Sequence, residues 1–309
     1  MGSSSRPARA PSTHVVAVFG PTAAGKTALA GALRERLDGE VVSADAAALF
    51  AALPILTAVP DYPARLVGVV PLTADVSVGE YQRLAHEAID ELLAAGRAPI
   101  VVGGTGLYLR AALSSLEVPP PPAAGARERW QETYDRLGAA EAHALLADRD
   151  PAAAARVHAN DRRRVVRALE LAEMGGSLAP VADRLWSEDT RHPTTIVGVD
   201  LPPDELDLRI EQRTRAMVEA GVAEEARRAW SDGLSATARK ILGLEEFATL
   251  PELEAEDAVV RATKRLARYQ RKWLRRLPNV VTLDGRRTPG ELADEIVALD
   301  CAGERLPRR

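Results

Sequence analysis

The stretch "VFGPTAAGKTALAGAL", residues 18–33, decides the fold. It ends a short apolar run rich in β-branched residues, forms a glycine-rich turn, and continues with apolar residues at helical spacing. The turn fits the pattern G-x-x-x-x-G-K-[ST] through Gly20, Gly25, Lys26 and Thr27. Backbone N–H groups, a lysine charge and a helix N-terminus would together hold phosphate groups at this turn.

We expect the whole turn to contact phosphates: Gly20, Pro21, Thr22, Ala23, Ala24, Gly25, Lys26 and Thr27. The Thr27 hydroxyl can also ligate Mg²⁺. The turn alone leaves three reactions open, because nucleotide hydrolysis, phosphoryl transfer and displacement of diphosphate all require a clamped and neutralised polyanion.

Composition favours an α/β protein. The 309 residues are 46% hydrophobic but only 4% aromatic, which suits helices packed around a buried sheet. A single cysteine, Cys301, excludes an internal disulfide framework and a multi-cysteine zinc site. We find no run of about 18 apolar residues and no signal-peptide pattern, so we expect a cytoplasmic protein. Nothing in the sequence suggests a dimer seam, so we expect a monomer.

Strand-like and helix-like segments alternate along most of the chain. Predicted strands cover 14–20, 40–45, 98–104, 194–202 and 279–285, and predicted helices cover 77–97, 203–230 and 258–277, the first with Ser77 as its N-cap. This alternation predicts a parallel, doubly wound sheet of the P-loop NTPase type, flanked by helices.

A proline-rich stretch, "EVPPPPAAGA" at 117–126, interrupts this pattern. The chain is then helical to about residue 187 before strand chemistry returns. We therefore expect an α/β core at 14–120 and 190–300, an all-helical insertion at 121–189, and a disordered N-terminus at 1–13.

Two polar residues lie at or just after the ends of predicted strands and should be near the phosphate turn, because ligands bind at the carboxyl edge of parallel sheets. Asp45 either holds Mg²⁺ through water, accepts a proton, or caps a helix. Thr105, in "GGTGLYL" at 103–109, either contacts a phosphate or a base, or caps the next helix.

Six segments in order and spacing resemble the bacterial tRNA dimethylallyltransferases, also called tRNA isopentenyltransferases. The resemblance covers residues 14–284 and rests on "GPTAAGKTALA", "VVSAD", "PIVVGGTGLYLRAAL", "ARVHANDRRRVVRALEL", "DLRIEQRTRAMVEAGVAEEA" and "ATKRLARYQRKW". It implies transfer of a dimethylallyl group from dimethylallyl diphosphate to N6 of adenosine 37, the nucleotide 3′ of the anticodon, with release of diphosphate.

The resemblance also implies roles for individual residues. The phosphate turn would hold the donor diphosphate with Mg²⁺, Arg209 and Arg213, and ATP would not be the substrate despite the nucleotide-binding motif. Asp45 would accept the proton of the attacking amine, and Thr105 would meet the target base. The tRNA anticodon stem-loop would contact Asp45, Ala46, Ala47, Ala48, Thr105, Arg127, Arg163, Arg164 and Arg167.

The residues after Asp45 depart from the family pattern. The family continues with serine, arginine or methionine, glutamine, valine and tyrosine, whereas this chain has "AAALF" at 46–50. The family's His-His segment falls at "ARLVG", 64–68, which contains no histidine. Two alternatives therefore stay open: an isopentenyltransferase or kinase acting on a free nucleotide or small molecule, and a non-catalytic RNA-binding paralogue.

Overall fold

A six-stranded parallel sheet forms the centre of the protein in the computed structural model, which describes residues 14–179, 184–230 and 233–302. The strands run in the order β3-β2-β4-β1-β5-β6. Their bounds are Val15–Phe19 (β1), Gly39–Ser43 (β2), Ala64–Arg65 (β3), Ala98–Gly103 (β4), Thr194–Asp200 (β5) and Val280–Asp284 (β6). The predicted P-loop-type α/β fold is confirmed, and the predicted N-terminal segment 1–13 lies outside the described residues.

Twelve helices surround or follow these strands in the described ranges. Their bounds are Lys26–Leu37 (α1), Val78–Ala94 (α2), Gly106–Leu113 (α3), Ala126–Leu137 (α4), Ala139–Arg149 (α5), Pro151–Ala154 (α6), Arg162–Glu173 (α7), Pro203–Glu219 (α8), Val222–Ala229 (α9), Leu244–Thr249 (α10), Glu252–Leu274 (α11) and Pro289–Ala302 (α12). None of the helices in these ranges is long and apolar enough to cross a bilayer.

The core of the sheet is apolar on both faces, as a buried parallel sheet requires. All five residues of β1 are buried, and the fully buried Val18 packs with Leu29 and Leu33 of α1. β1 is hydrogen-bonded to β4 on one side and β5 on the other. The phosphate turn therefore emerges from the middle of the sheet.

Local sequence signals explain some element bounds and miss others. Ser77 caps α2 as predicted, within a capping box completed by Glu80. The predicted helix 203–230 is wrong as a single element, because Gly221 adopts a φ of 87° and separates α8 from α9. The edge strand β3 was not predicted, since two residues give no periodic pattern.

The chain divides into two compact units, one comprising residues 1–115 and 185–309 and the other Leu116–Arg184. Sequence reasoning set the insertion at 121–189 instead. Residues 116–120 go with the insertion because Arg167 donates hydrogen bonds to the Pro119 and Pro120 carbonyls. Residues 185–189 go with the sheet unit because the buried Arg110 donates to three of their carbonyls.

The insertion has an apolar core of its own. Tyr134 of α4, Leu146 of α5 and Val165 and Leu169 of α7 are buried together. The Tyr134 hydroxyl donates to the Ala159 carbonyl at 2.8 Å, which fixes the turn before α7. The basic run that begins α7 is thus presented by a packed helical unit.

Candidate active site

The phosphate turn owes its glycines to two different constraints. A Cβ on Gly20 would lie 2.3 Å from the carbonyl oxygen of Val199 on β5, so no side chain fits there. Gly25 instead has a φ of 96°, in the left-handed region that side chains disfavour. The motif spacing therefore combines close packing against the sheet with a tight turn into α1.

A cavity of about 470 Å³ opens at this turn. It is lined by Ala23, Gly25, Lys26, Thr27, Ala28, Arg209, Gln212 and Arg213. Among the described residues, none of its three cations forms an ion pair with a carboxylate. Cations left without counter-ions around a concave surface indicate a site for an anion.

The neighbouring cavity, of about 360 Å³ at the ends of β5 and β6, differs in this respect. There Arg271 pairs with Asp200 at 2.9 Å, and Arg286 pairs with Asp284 at 2.6 Å. Its arginines are already neutralised, so the cavity at the phosphate turn is the better anion site.

Two cations of the phosphate cavity are largely removed from water. The Lys26 ammonium donates to the Pro21 carbonyl at 2.7 Å, and burial lowers the pKa of Lys26 to about 8. The Arg213 guanidinium donates to the Thr22 hydroxyl at 2.9 Å, and loss of water likewise lowers the Arg213 pKa. A bound anion would favour the charged form of both groups.

Asp45 belongs to the same site. Its charge opposes the effect of burial by raising the pKa of both Lys26 and Arg213. The carboxylate accepts a hydrogen bond from the Ala47 N–H at 3.0 Å, within a turn that follows β2. Asp45 is therefore not the N-cap of a helix, which removes one of the alternatives that the sequence left open.

Two stacked tyrosines fix the end of β2 just before Asp45. The buried Tyr81 donates from its hydroxyl to the Ser43 carbonyl at 3.0 Å, and its ring lies 4.2 Å from that of Tyr108. Burial is the main cause that raises the Tyr81 pKa well above its usual value, so Tyr81 remains a hydrogen-bond donor. Sequence reasoning did not identify this pair.

Thr105 lies beside Asp45, although it also occupies the N-cap position of α3. Its hydroxyl makes no capping hydrogen bond and instead accepts from the Ala46 N–H at 3.3 Å. A Cβ on Gly103 would lie 2.1 Å from the Ala44 carbonyl oxygen, so the turns after β2 and β4 are in direct contact. The contact between these turns brings Asp45, the candidate proton acceptor, next to Thr105, the candidate contact to the target nucleobase.

The residues after Asp45 have divided environments. Ala46 and Ala47 are partly exposed, whereas Ala48 and Leu49 are buried. Phe50 packs in a second apolar cluster with residues of α9, α10 and α11. The apolar departure "AAALF" is therefore built into the core at its C-terminal end.

The donor set suits a divalent cation only together with a bound polyanion. The Thr27 side chain is exposed, and its hydroxyl has no hydrogen-bond partner among the residues described. No group of three or more His, Cys, Asp or Glu residues within the described ranges is arranged to hold a metal. Thr27 and substrate phosphate oxygens fit Mg²⁺, which keeps several non-protein ligands.

The four arginines proposed to meet tRNA all lie in the insertion, in two settings. Arg127 and Arg167 donate to the two oxygens of Glu170, whose side chain is only 1% exposed. Arg163 and Arg164 are exposed, and the Arg163 side chain makes no hydrogen bond or ion pair with any described residue. The second pair is thus the more available to a phosphate backbone.

Gln270 of α11 is a further site residue that sequence reasoning did not single out. Its buried side chain accepts from the Thr22 N–H and donates to the Gly104 carbonyl. The available signal was its spacing, because Gln270 shares the buried face of the helix with Ala267 and Leu274.

Comparisons with known proteins identify the family of this chain. The family model described as IPP transferase matches residues 48–277, a range that begins after the phosphate turn and Asp45. A tRNA dimethylallyltransferase of Streptomyces coelicolor is 43% identical over 89% of this chain and 91% of its own length. One from Salinispora arenicola is 41% identical over 93% and 87%, respectively.

Solved structures of tRNA-prenylating enzymes are similar to this chain over most of its length. A full-length tRNA isopentenylpyrophosphate transferase from Bacillus halodurans is 29% identical, with a TM-score of 0.66 over 93% of this chain and 96% of that one. A eukaryotic dimethylallyltransferase acting on tRNA has a TM-score of 0.77 at 20% identity, a likeness of fold over 96% of this chain and 82% of that one. The extent and identity of these matches establish that the chain belongs to the IPP transferase family, whose members transfer prenyl groups.

Proposed function

We propose that this protein is a tRNA dimethylallyltransferase that modifies N6 of adenosine 37, on the 3′ side of the anticodon. One observation supports this reaction most directly. Among the described residues, the cations around the phosphate turn have no carboxylate within ion-pair distance, and the Asp45 carboxylate lies close enough to raise the pKa of two of them. A prenyl transfer needs this pairing of an anion clamp with a nearby proton acceptor.

The positive charges around the phosphate cavity indicate where the donor binds. Lys26, Arg209 and Arg213 surround the cavity and would bind the diphosphate of dimethylallyl diphosphate. As the bond between the allylic carbon and the diphosphate oxygen breaks, negative charge builds up on that oxygen. Fixed cations and backbone N–H groups of the turn would stabilise this charge more than that of the bound donor.

Mg²⁺ would be held by the Thr27 hydroxyl and by oxygens of the donor diphosphate. It would supply further neutralisation of the leaving group when bound. The Thr27 side chain is exposed and its hydroxyl has no hydrogen-bond partner in the described part of the chain, which supports this assignment.

Asp45 indicates where the acceptor adenine reacts. The adenine N6 nitrogen would form a bond to the allylic carbon while diphosphate leaves, and Asp45 would take one proton from that nitrogen. Tyr81 and the Ala47 N–H fix the turn that holds the carboxylate. Thr105, whose hydroxyl lies 3.3 Å from the Ala46 nitrogen, would meet the base beside it.

The helical insertion would hold the anticodon stem-loop. The exposed Arg163 and Arg164 would contact RNA phosphates, because they lie in the first turn of α7 and pair with no buried acid among the described residues. The target adenine must leave its stack to react, so the RNA needs such a separate grip. We propose that one cytoplasmic monomer binds one tRNA.

A transfer assay tests this function. The protein is incubated with labelled dimethylallyl diphosphate, Mg²⁺ and unmodified tRNA, the same tRNA with guanosine at position 37, or AMP. We expect label in the first tRNA alone. Label in AMP but not in tRNA would establish the free-nucleotide alternative, and tRNA binding without any transfer would establish the non-catalytic alternative.

A further inference from the structure

Gln270 occupies a position on α11 where an apolar residue would be expected. Its side chain is 5% exposed and lies on the face that buries Ala267 and Leu274. A buried amide is costly unless both its donor and its acceptor are paired. The partners of this amide therefore explain why a glutamine stands there.

Both partners are backbone groups of active-site turns. The side-chain oxygen of Gln270 accepts from the Thr22 N–H at 2.8 Å, and its nitrogen donates to the Gly104 carbonyl at 3.0 Å. The two partners fix the amide orientation, since one can only donate and the other can only accept. One side chain thus joins the turn after β1 to the turn after β4.

Each of these turns continues directly to reacting groups. On one side, the Thr22 hydroxyl accepts from Arg213 at 2.9 Å within the phosphate cavity. On the other side, Gly104 precedes Thr105, whose hydroxyl accepts from the Ala46 N–H next to Asp45. Gln270 therefore stands between the donor half and the acceptor half of the site.

The contact is closely packed. A Cβ on Gly104 would lie 2.4 Å from the Gln270 side-chain nitrogen and 3.4 Å from the Gly20 carbonyl oxygen. The two turns and the amide are therefore in close contact.

We propose that Gln270 is a positioning residue that sets the distance between the diphosphate clamp and Asp45. The proposal rests on the proposed prenyl transfer for its catalytic meaning, although the bridge itself is independent of it. A transfer between two bound groups is sensitive to small errors in their separation, so loss of the bridge should slow the reaction more than it weakens binding.

Gln270→Glu separates positioning from a general structural role. A protonated carboxyl has one donor and one acceptor, as the amide does, and can bridge the same two groups. An ionised carboxylate still accepts from Thr22 but repels the Gly104 carbonyl. Burial against backbone groups raises the pKa of the introduced carboxyl, so the change should fall within an accessible pH range.

The experiment measures single-turnover dimethylallyl transfer to tRNA at saturating donor between pH 5.5 and 9. We expect the ratio of the Q270E rate to the wild-type rate to approach one at the lowest pH and to fall about tenfold or more by pH 8.5. The neutral variant Gln270→Met should be slow at every pH. Steady-state rates measured over a range of dimethylallyl diphosphate concentrations should show a smaller change in KM than in kcat. A Q270E ratio independent of pH, or a Q270M rate within about twofold of wild type, would overturn the proposal.

A second measurement does not depend on activity. Hydrogen exchange of the amides in residues 20–25 should speed up in Q270M and, above the carboxyl pKa, in Q270E. Gln131→Glu makes the same chemical change on α4 of the insertion and should leave this exchange unchanged. If wild type transfers nothing to tRNA, the proposed function fails; if exchange is unaltered in Q270M, the bridge itself is refuted.

Discussion

The Arg213 guanidinium donates to the Thr22 hydroxyl at 2.9 Å and has no carboxylate within ion-pair distance in the described structure. The protein therefore holds a desolvated charge beside its phosphate turn before any ligand arrives. Such a charge costs folding free energy and favours an anion.

Arg213→Met should weaken binding without weakening the fold. We expect the Kd for inorganic diphosphate to rise about tenfold to a hundredfold, since charge-assisted hydrogen bonds are lost. The free energy of unfolding should stay within about 1 kcal/mol of wild type or increase, because the removed charge was unpaired. Calorimetric titration and denaturant melts measure the two quantities.

Arg215→Met provides the matched control on the exposed side of the same helix. It should change neither quantity. A large loss of stability in Arg213→Met would show instead that the Thr22 contact is chiefly structural.

The lowered pKa of Lys26 predicts a pH dependence of diphosphate binding. In the free protein this pKa is about 8, and a bound anion raises it. Below pH 8 the lysine is charged in both states, so its contribution to affinity is constant. Above pH 8 binding requires proton uptake, and affinity should fall by up to about tenfold per pH unit until the pKa of the complex is reached.

Lys26→Arg removes the titrating group but keeps a positive charge. Its affinity for a dimethylallyl diphosphate analogue should lose the decline that begins near pH 8. A wild-type affinity that stays level between pH 7 and 9.5 would contradict this prediction.

The fold and the phosphate side of the site could be predicted because their signals are local. Gly20 and Lys26 lie within one strand-turn-helix unit, and the α/β alternation repeats along the chain. Gln270 could not be assigned a role because its partners are 248 and 166 residues away. Such contacts depend on how the strands are ordered in the sheet, which periodicity does not encode.

The contacts around Asp45 could not be predicted from local patterns either. The sequence places Asp45 after a strand, but the contact between its turn and Thr105 results from the pairing of β2 with β4. Whether Phe50 faces a ligand or a core also depended on helices that begin only at Val222 and later in the sequence. The roles proposed for Asp45 and Thr105 come from the resemblance to a family and not from local patterns.

Asp45→Asn should separate binding from chemistry. The amide oxygen can still accept from the Ala47 N–H, so the turn after β2 should persist. Removing a proton acceptor lowers rates by about 10²- to 10⁴-fold, and we expect a loss of this size in single-turnover transfer. Gel-shift affinity for tRNA and calorimetric affinity for diphosphate should remain within about threefold of wild type; an active Asp45→Asn would refute the proton-acceptor role.

Gly20→Ala should destabilise the sheet unit. The new methyl group would meet the Val199 carbonyl oxygen at 2.3 Å, and backbone in the middle of a sheet cannot move aside easily. We expect a loss of about 1–3 kcal/mol in the free energy of unfolding, as in other overpacked sites. Gly176→Ala is the control, because its methyl group would lie at an ordinary 3.5 Å from its nearest neighbour.

The insertion arginines should divide by function. Arg163→Ala should leave the melting temperature unchanged, since the side chain is exposed and unpaired among described residues. It should weaken tRNA binding and reduce the slope of log affinity against log salt by about 0.7 to 0.9, as expected for one lost phosphate contact. Filter binding at several salt concentrations measures this slope.

Arg127→Ala should behave differently, because it removes one of the two partners of the buried Glu170 carboxylate. Leaving such a group under-satisfied costs about 1–3 kcal/mol of stability, which thermal melts of the variant should detect. Glu170→Gln in the same background should recover part of this loss, since an amide carries no charge to be neutralised. If Arg127→Ala changed the salt dependence of tRNA binding but not the melting temperature, the ion pair with Glu170 would not stabilise the fold. Arg127 would then be a phosphate contact, like Arg163.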